Sequence, residues 1–332
     1  MPLAAIVGHA PIVALLRQAV ARGRVPQSLL FAGPEGVGKR AVAVALAQAV
    51  NCPVRRQRQG DDACGRCPAC VRIARGHHTD VTVIDRGDEA SIRIDALRRS
   101  LLEVVGYRPF EGERRVFIID PADDVGQHGQ DALLKTLEEP PSAAILILLS
   151  VYPDVLLPTI QSRCRRLRFG PLAEADVARL LVEHEKIDPA RARALAAVSG
   201  GSVAGALQHT GDLAGDRRAA LTLLTAARGR DVAATLRAAT ALAKNETDRR
   251  DRDALGARLA IAGSLLRDLG VLAAGSGAAL ANADLDADLR SLASAFPLPR
   301  VTGAYAATVE ALAALGRNAG PKIVADWVAT TI

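Results

Sequence analysis

The segment Gly33-Pro34-Glu35-Gly36-Val37-Gly38-Lys39 has the G-x-x-x-x-G-K spacing of a phosphate-binding loop. In such a loop the glycines let backbone N–H groups approach phosphate oxygens, and the lysine adds a cation. The position after the lysine calls for Ser or Thr, whose hydroxyl holds Mg²⁺ against the phosphates. Arg40 stands there instead. A guanidinium is a permanent cation with no acceptor atom, so it cannot ligate a metal. Gly33, Gly36, Gly38 and Lys39 are therefore candidate nucleotide contacts in a site that lacks one part needed for hydrolysis. ATP or another nucleotide bound without turnover stays open.

Four of the five cysteines are crowded together: Cys52, Cys64, Cys67 and Cys70. Crowding of this kind in a reducing compartment points to metal rather than disulfides. Two C-x2-C steps plus one upstream Cys supply four soft ligands for tetrahedral Zn²⁺. An iron–sulfur cluster is the rival, but the common bacterial signature continues with x3-C-P, which is absent here. Four protein ligands leave no open coordination position, so the metal would be structural rather than catalytic. Pro53 to Ala63 is polar and basic and reads as a surface excursion tied down at its base. His77-His78 reads as a surface loop, and Cys164 as a small buried hydrophobe.

Carboxylates form a third group. Arg115 to Asp120 reads as a buried strand ending in an acid, and the run to Asp123 matches a Walker B element. Asp120 stands where a carboxylate would support Mg²⁺. Asp123 stands where related ATPases keep an acid that orients water. Glu138-Glu139 invites a general-base reading, but the pair precedes Pro140-Pro141 at a helix end, and a solvated terminus is the simpler account.

These residues need a scaffold, and the pattern around them supplies one. Ser28–Ala32 reads as a short buried strand and Ala41–Val50 as a helix, so the glycine loop sits between strand and helix N-terminus as phosphate binding requires. Further strands are expected at Asp80–Ile84, Arg115–Asp120, Ala144–Ser150 and Arg166–Phe169, with helices at Ile94–Val105 and Gln127–Leu137 and a short one within Leu156–Arg165. Alternating strands and helices predict an α/β fold with a parallel sheet over residues 1–170. From Ala173 onward helical periodicity dominates. A small helical domain is expected at 171–210 and an all-helical domain at 211–332, with the polar run Lys244–Asp253 as an exposed helix end or loop.

Hydrophobic residues make up 49% of the 332 and aromatics only 3%, so the core is built from Ala, Leu, Val and Ile. The formal charge of +6 is carried almost wholly by arginine. A basic surface could meet nucleic acid through charge, but no aromatics interleave with the arginines, which argues against binding by base stacking. Apolar runs such as Ala143–Leu149 are too short to span a bilayer. Pro11 interrupts the apolar N-terminal stretch and no basic region precedes it, so a cytoplasmic protein with no membrane role is expected.

Three stretches sharpen the reading: Asp131-Ala132-Leu133-Leu134-Lys135-Thr136-Leu137-Glu138-Glu139-Pro140-Pro141, Leu157-Pro158-Thr159-Ile160-Gln161-Ser162-Arg163-Cys164, and the four-Cys excursion after the phosphate-loop helix. Together they resemble bacterial DNA polymerase III clamp-loader subunits, members of the AAA+ class. The resemblance implies an AAA+ P-loop module, a helical lid and a C-terminal helical collar that assembles with other subunits. It also places Ser150 at a first-sensor position, Gly201–Leu207 in a lid sensor segment and Arg317–Lys322 at an Asn-containing turn. Arg163 matches the arginine that reaches a neighbour's ATP, so a catalytic role in trans is implied. The motor subunit keeps Ser or Thr after the loop lysine and an Arg in the lid segment; here these are Arg40 and Ala204. Both departures, and a chain that ends soon after the collar, resemble the non-motor delta-prime branch. The implied partners are motor and delta subunits, a sliding clamp and primed DNA. Two other classes stay open: a subunit that hydrolyses ATP itself, and a nucleic-acid binder acting by charge alone.

Overall fold

The computed structural model describes residues 1–87, 89, 91–208, 213–229, 231–242, 249–317 and 319–332. The chain divides into two compact units, 1–171 and 172–332.

In the first unit five strands, β1 (Ser28–Ala32), β2 (Val81–Ile84), β3 (Arg115–Ile119), β4 (Ala144–Ser150) and β5 (Arg165–Arg168), form one sheet in the order β2-β3-β4-β1-β5. Every pairing is parallel, with Ser28 opposite Leu146 and Leu29 opposite Arg165. A parallel sheet needs a crossover between strands, and the crossovers put helices on its faces. The helices are α1 (Ala10–Ala21), α2 (Lys39–Asn51), α3 (Pro53–Gln57), α4 (Pro68–Ala74), α5 (Ile94–Leu97), α6 (Gln127–Glu138) and α7 (Pro158–Arg163).

Both sheet faces are covered, which is why β1 and β4 read as unbroken apolar runs. Side chains still alternate along each strand. Leu29 and Phe31 join one core with Val42, Leu46, Val116, Ile118 and Ile147. Leu30 and Ala32 join the other with Phe117, Ile119, Leu133 and Leu146. Each Leu or Phe fully withdrawn from water contributes about 2 kcal/mol, so the sheet is the rigid base on which the loops at its strand ends are built.

Two local expectations change. Ile94–Val105 is not one regular helix: α5 is a single turn, followed by a π-helical stretch at Arg98–Leu102. The Glu103 N–H reaches back to the Arg98 carbonyl at 3.0 Å. The wider turn still keeps Leu97, Leu101 and Val105 buried, so the apolar spacing is satisfied without regular helical bonding. The polar excursion after Cys52 begins as helix α3, with Pro53 in its first turn and the Cys52 sulfur capping the Arg55 N–H at 3.3 Å. Proline is suited to that position because its missing N–H has no partner there anyway.

The second unit is helical: α8 (Glu174–Glu185), α9 (Pro189–Val198), α10 (Val203–Gln208), α11 (Leu213–Arg228), α12 (Val232–Leu242), α13 (Arg249–Ala274), α14 (Asp286–Ala293), α15 (Leu298–Gly316) and α16 (Pro321–Thr331). Leu172, Val177, Leu181, Leu195 and Ala206 form one apolar cluster on α8–α10. Two others run along the 26-residue α13, one around Leu265, Leu266 and Leu269 and one around Leu255 and Leu259. Buried Asp268 accepts from the N–H groups of Ala281 and Asn282 at 3.0 and 2.8 Å and fastens the segment after α13 to that helix. The expected junction at 210/211, the first part of the Lys244–Asp253 run and Asn318 lie outside the described residues. Arg249–Asp253 begins α13. No described helix is long and apolar enough to cross a membrane.

Candidate functional site: phosphate loop, cysteine cluster and Arg163

The phosphate loop joins the end of β1 to the start of α2, as its motif requires. Gly33 has no room for a side chain: a Cβ there would sit 2.2 Å from the Phe169 carbonyl oxygen. Gly38 precedes α2 at φ 101°, a left-handed conformation that favours glycine. The Lys39 amine is buried and donates to the carbonyls of Gly33 and Pro34, both at 2.6 Å. Burial pushes its pKa below the usual lysine value, against the pull of Asp120, Asp123 and Glu35. The sequence reading missed His9. Its Nε2 donates to the Val37 carbonyl at 2.8 Å and its ring meets Phe169 edge-on, 4.9 Å between centroids. The only local signal was a Gly-His pair before a helix start, which is too common to single out.

Arg40 points at the acids rather than away from them. Its Nη1 lies 3.2 Å from Asp120 Oδ2 and its Nη2 3.7 Å from Asp85 Oδ2. Burial raises the Asp120 carboxyl above its ordinary range even though Arg40 and Lys39 pull the other way. Asp123 is engaged elsewhere. It accepts from the Ser150 hydroxyl at 2.5 Å and from the N–H groups of Val151 and Tyr152 at 2.6 and 3.3 Å. The Ser150 carbonyl in turn accepts from Gly33 N–H at 3.1 Å. Asp123 and Ser150 thus tie the ends of β3 and β4 to the phosphate loop. The Mg²⁺ that this loop type implies does not fit the donor set: the hydroxyl ligand is missing and Asp120 already faces a guanidinium.

The cysteine cluster assembles from three elements. Cys52 ends α2 and caps α3, Cys67 precedes α4, Cys70 lies within α4, and Cys64 comes from the loop between α3 and α4. The four sulfurs lie within 4.8 Å of one another, and all four residues are free thiols. Sulfurs on a zinc tetrahedron with Zn–S of about 2.3 Å are about 3.8 Å apart, so the spacing fits a tetrahedral metal after small adjustments. N–H groups of Arg55 and Cys64 point at the Cys52 sulfur, and that of Cys67 at the Cys64 sulfur, at 3.3–3.4 Å. Such bonds favour thiolates. Burial works against ionisation at Cys64, yet N–H groups of Arg66 and Cys67 bring it down to about 6; burial pushes Cys67 and Cys70 up. These four residues can hold a structural metal.

His78, expected on a surface loop, is buried outside this cluster; His77 is exposed. His78 Nδ1 accepts from Asp80 N–H at 3.1 Å and Nε2 lies 3.4 Å from Glu111 Oε1. The reason is Asp80, whose carboxylate gathers the N–H groups of Phe110, Glu111 and Gly112 at 2.7–2.9 Å and brings their loop onto the histidine.

Arg163 ends α7. Its Nη2 pairs with Glu138 Oε1 at 2.7 Å and its Nη1 donates to the Thr159 carbonyl at 3.0 Å. Glu138 is therefore not merely a solvated helix end. The side chain of Arg163 is one-third exposed. Gln130, also missed from sequence, sets the entry to α7: it accepts from Leu157 N–H at 2.8 Å and donates to the Val125 carbonyl at 3.0 Å.

A sheet of this strand order, a loop ending in Lys39, four converging cysteines and an arginine closing α7 all fall inside one matched stretch. The family described as DNA polymerase III, delta subunit matches residues 8–173. This chain belongs to that family.

Relatives in the DNA polymerase III assembly fall on more than one subunit. The tau subunit of Escherichia coli strain K12 is 32% identical over 212 residues, 62% of this chain and 32% of the relative. The delta' subunit of Pseudomonas aeruginosa is 36% identical over 191 residues, 57% of each. This chain spans about a third of the length of the tau relatives it matches. A solved gamma-subunit-related DNA polymerase III protein from Thermotoga maritima is 16% identical with a TM-score of 0.42, covering 95% of this chain and 96% of that one. The delta-family match takes in the phosphate loop, the cysteine cluster and Arg163, whereas Ala204 lies beyond it on α10.

Proposed function

We propose that this chain is a delta-prime-type, non-motor subunit of a DNA polymerase III clamp loader in the cytoplasm. Its partners would be motor and delta subunits, with a sliding clamp and primed DNA handled by the assembly. The lid would occupy 171–210 and the collar 211–332, the latter giving the lasting contact with other subunits. The Cys52, Cys64, Cys67 and Cys70 cluster would hold one structural zinc ion.

The observation that carries the reading is the pairing of Arg40 with Asp120. Where a motor subunit would coordinate Mg²⁺, this chain has an internal ion pair. The absence of a lid cation at Ala204 supports the same conclusion. Gly33, Gly36, Gly38, Lys39, Asp120 and Asp123 are then a degenerate nucleotide site. Arg163 supplies the remaining catalytic part, reaching the nucleotide of an adjacent motor subunit. There its guanidinium would stabilise charge spreading over the transferred phosphoryl oxygens, an effect worth about 10³–10⁵ in rate. The rival, a subunit that hydrolyses ATP itself, is favoured by the retained Lys39, Asp120 and Asp123.

The two readings separate in one set of measurements. ATP turnover is measured for the chain alone, for motor subunits alone and for the assembled complex. No turnover by the chain alone is expected. Turnover that Lys39→Ala abolishes would establish the rival. In the complex, Arg163→Ala should leave assembly and metal content intact and slow single-turnover hydrolysis at the adjacent motor site. Arg163→Lys should rescue poorly, because an ammonium lacks the planar fork that meets two phosphate oxygens. Wild-type rates for Arg163→Ala in a complete complex would make it an interface residue instead.

A further inference from the structure

The Gly33–Lys39 loop keeps the spacing of a polyphosphate cradle, with the Lys39 amine resting on the Gly33 and Pro34 carbonyls, but the donor set beside it rejects the usual counter-ion. Mg²⁺ requires near-octahedral oxygen ligands at about 2.0–2.1 Å. Position 40 offers no oxygen. Asp120, the carboxylate that ends the β3 run, lies 3.2 Å from a guanidinium that cannot lose its charge. The second carboxylate in reach, Asp85, faces the same guanidinium at 3.7 Å. A divalent ion entering here would have to displace Arg40 and then remain beside it and Lys39. Arg40, however, is not spent. It has five N–H donors, and its side chain is about half exposed, one residue from the loop lysine.

We propose that Arg40 takes the place of the divalent cation, so that the loop binds a nucleoside polyphosphate without metal. The proposal rests on reading the loop as a nucleotide site. Two adjacent cations, Lys39 and Arg40, offset part of the charge of a free nucleotide polyphosphate, while a Mg²⁺ riding on the nucleotide would be set beside the Arg40 guanidinium and would find Asp120 occupied. The metal-free nucleotide is therefore the preferred ligand. Without an ion to polarise the terminal phosphate, the bound nucleotide is held rather than cleaved.

The test is equilibrium titration of the full chain with fluorescent ATP, once in excess chelator and once in excess Mg²⁺. Affinity in chelator should equal or exceed affinity in Mg²⁺. Arg40→Thr, which restores the hydroxyl, should lose about tenfold in chelator and recover in Mg²⁺. Arg40→Lys should keep metal-free binding, and Lys39→Ala should lose it in both media. Circular dichroism checks that each variant is folded. Wild-type binding that strengthens about tenfold with Mg²⁺ would overturn the proposal and leave the nucleotide reading standing. Unchanged binding of Arg40→Thr in chelator would also overturn it. Binding in neither medium would remove the nucleotide reading and this proposal with it.

Discussion

Asp80 shows how much one buried side chain can organise. It is 2% exposed and accepts three backbone N–H bonds from the Phe110–Gly112 loop. Asp80→Ala leaves those donors without a partner and should cost about 3 kcal/mol, read as a shifted denaturant midpoint. Burial tends to raise the Asp80 carboxyl, but the three N–H groups outweigh it and hold the value below the ordinary range. The unfolded chain therefore takes up this proton first as pH falls. The stabilisation is complete above the unfolded value, near pH 4, and is lost as pH falls through the lower native value. Asp80→Asn should flatten that acid limb; an unchanged acid limb would count against the assignment. The Arg163–Glu138 pair lies at the other extreme. It is solvent-facing, and exposed pairs contribute about 0–1 kcal/mol, so Glu138→Gln should scarcely move the melting temperature.

At the scale of elements, α3 and α4 are only 5 and 7 residues long. Helices this short are not stable alone in water. They are held by burial of Cys70 and Ile73, by the Gln48 side chain donating to the Cys70 carbonyl at 2.6 Å, and by the cysteine cluster. Removing bound metal with a chelator should raise amide exchange across Pro68–Ala74 while β1 and β4 stay protected. Metal analysis of untreated protein should find about one zinc per chain. Iron with visible colour, or unchanged exchange after metal loss, would rule out a structural zinc.

For the whole molecule, separate cores should give separable stabilities, and unfolding need not follow one two-state transition. Leu266 is fully buried in the helical unit. Leu266→Ala should cost about 3 kcal/mol there through lost transfer energy and a residual cavity. Metal content and exchange protection of β1 and β4 should not change. Loss of metal from this variant would show that the two units unfold together.

Motif spacing and periodicity were enough for the α/β class, the five strands, the helical second half, the phosphate loop and the cysteine set. Those features are local: a strand, a glycine turn and a run of helix-spaced apolar residues each leave their mark within a dozen positions. The partners of the charged groups left no such mark. Arg40 and Asp120 are 80 residues apart, Asp123 and Ser150 are 27 apart, and Arg163 and Glu138 are 25 apart. The first two pairs meet because the parallel sheet brings the C-terminal ends of β1, β3 and β4 to one edge, and the third because α6 and α7 end side by side. The burial of His78 under the Phe110–Gly112 loop and the placing of His9 against Val37 and Phe169 likewise join segments far apart in sequence. Side-chain type reveals that a charge must be compensated, but which acid or carbonyl compensates it is settled by which strand ends, helix ends and loops the fold puts side by side.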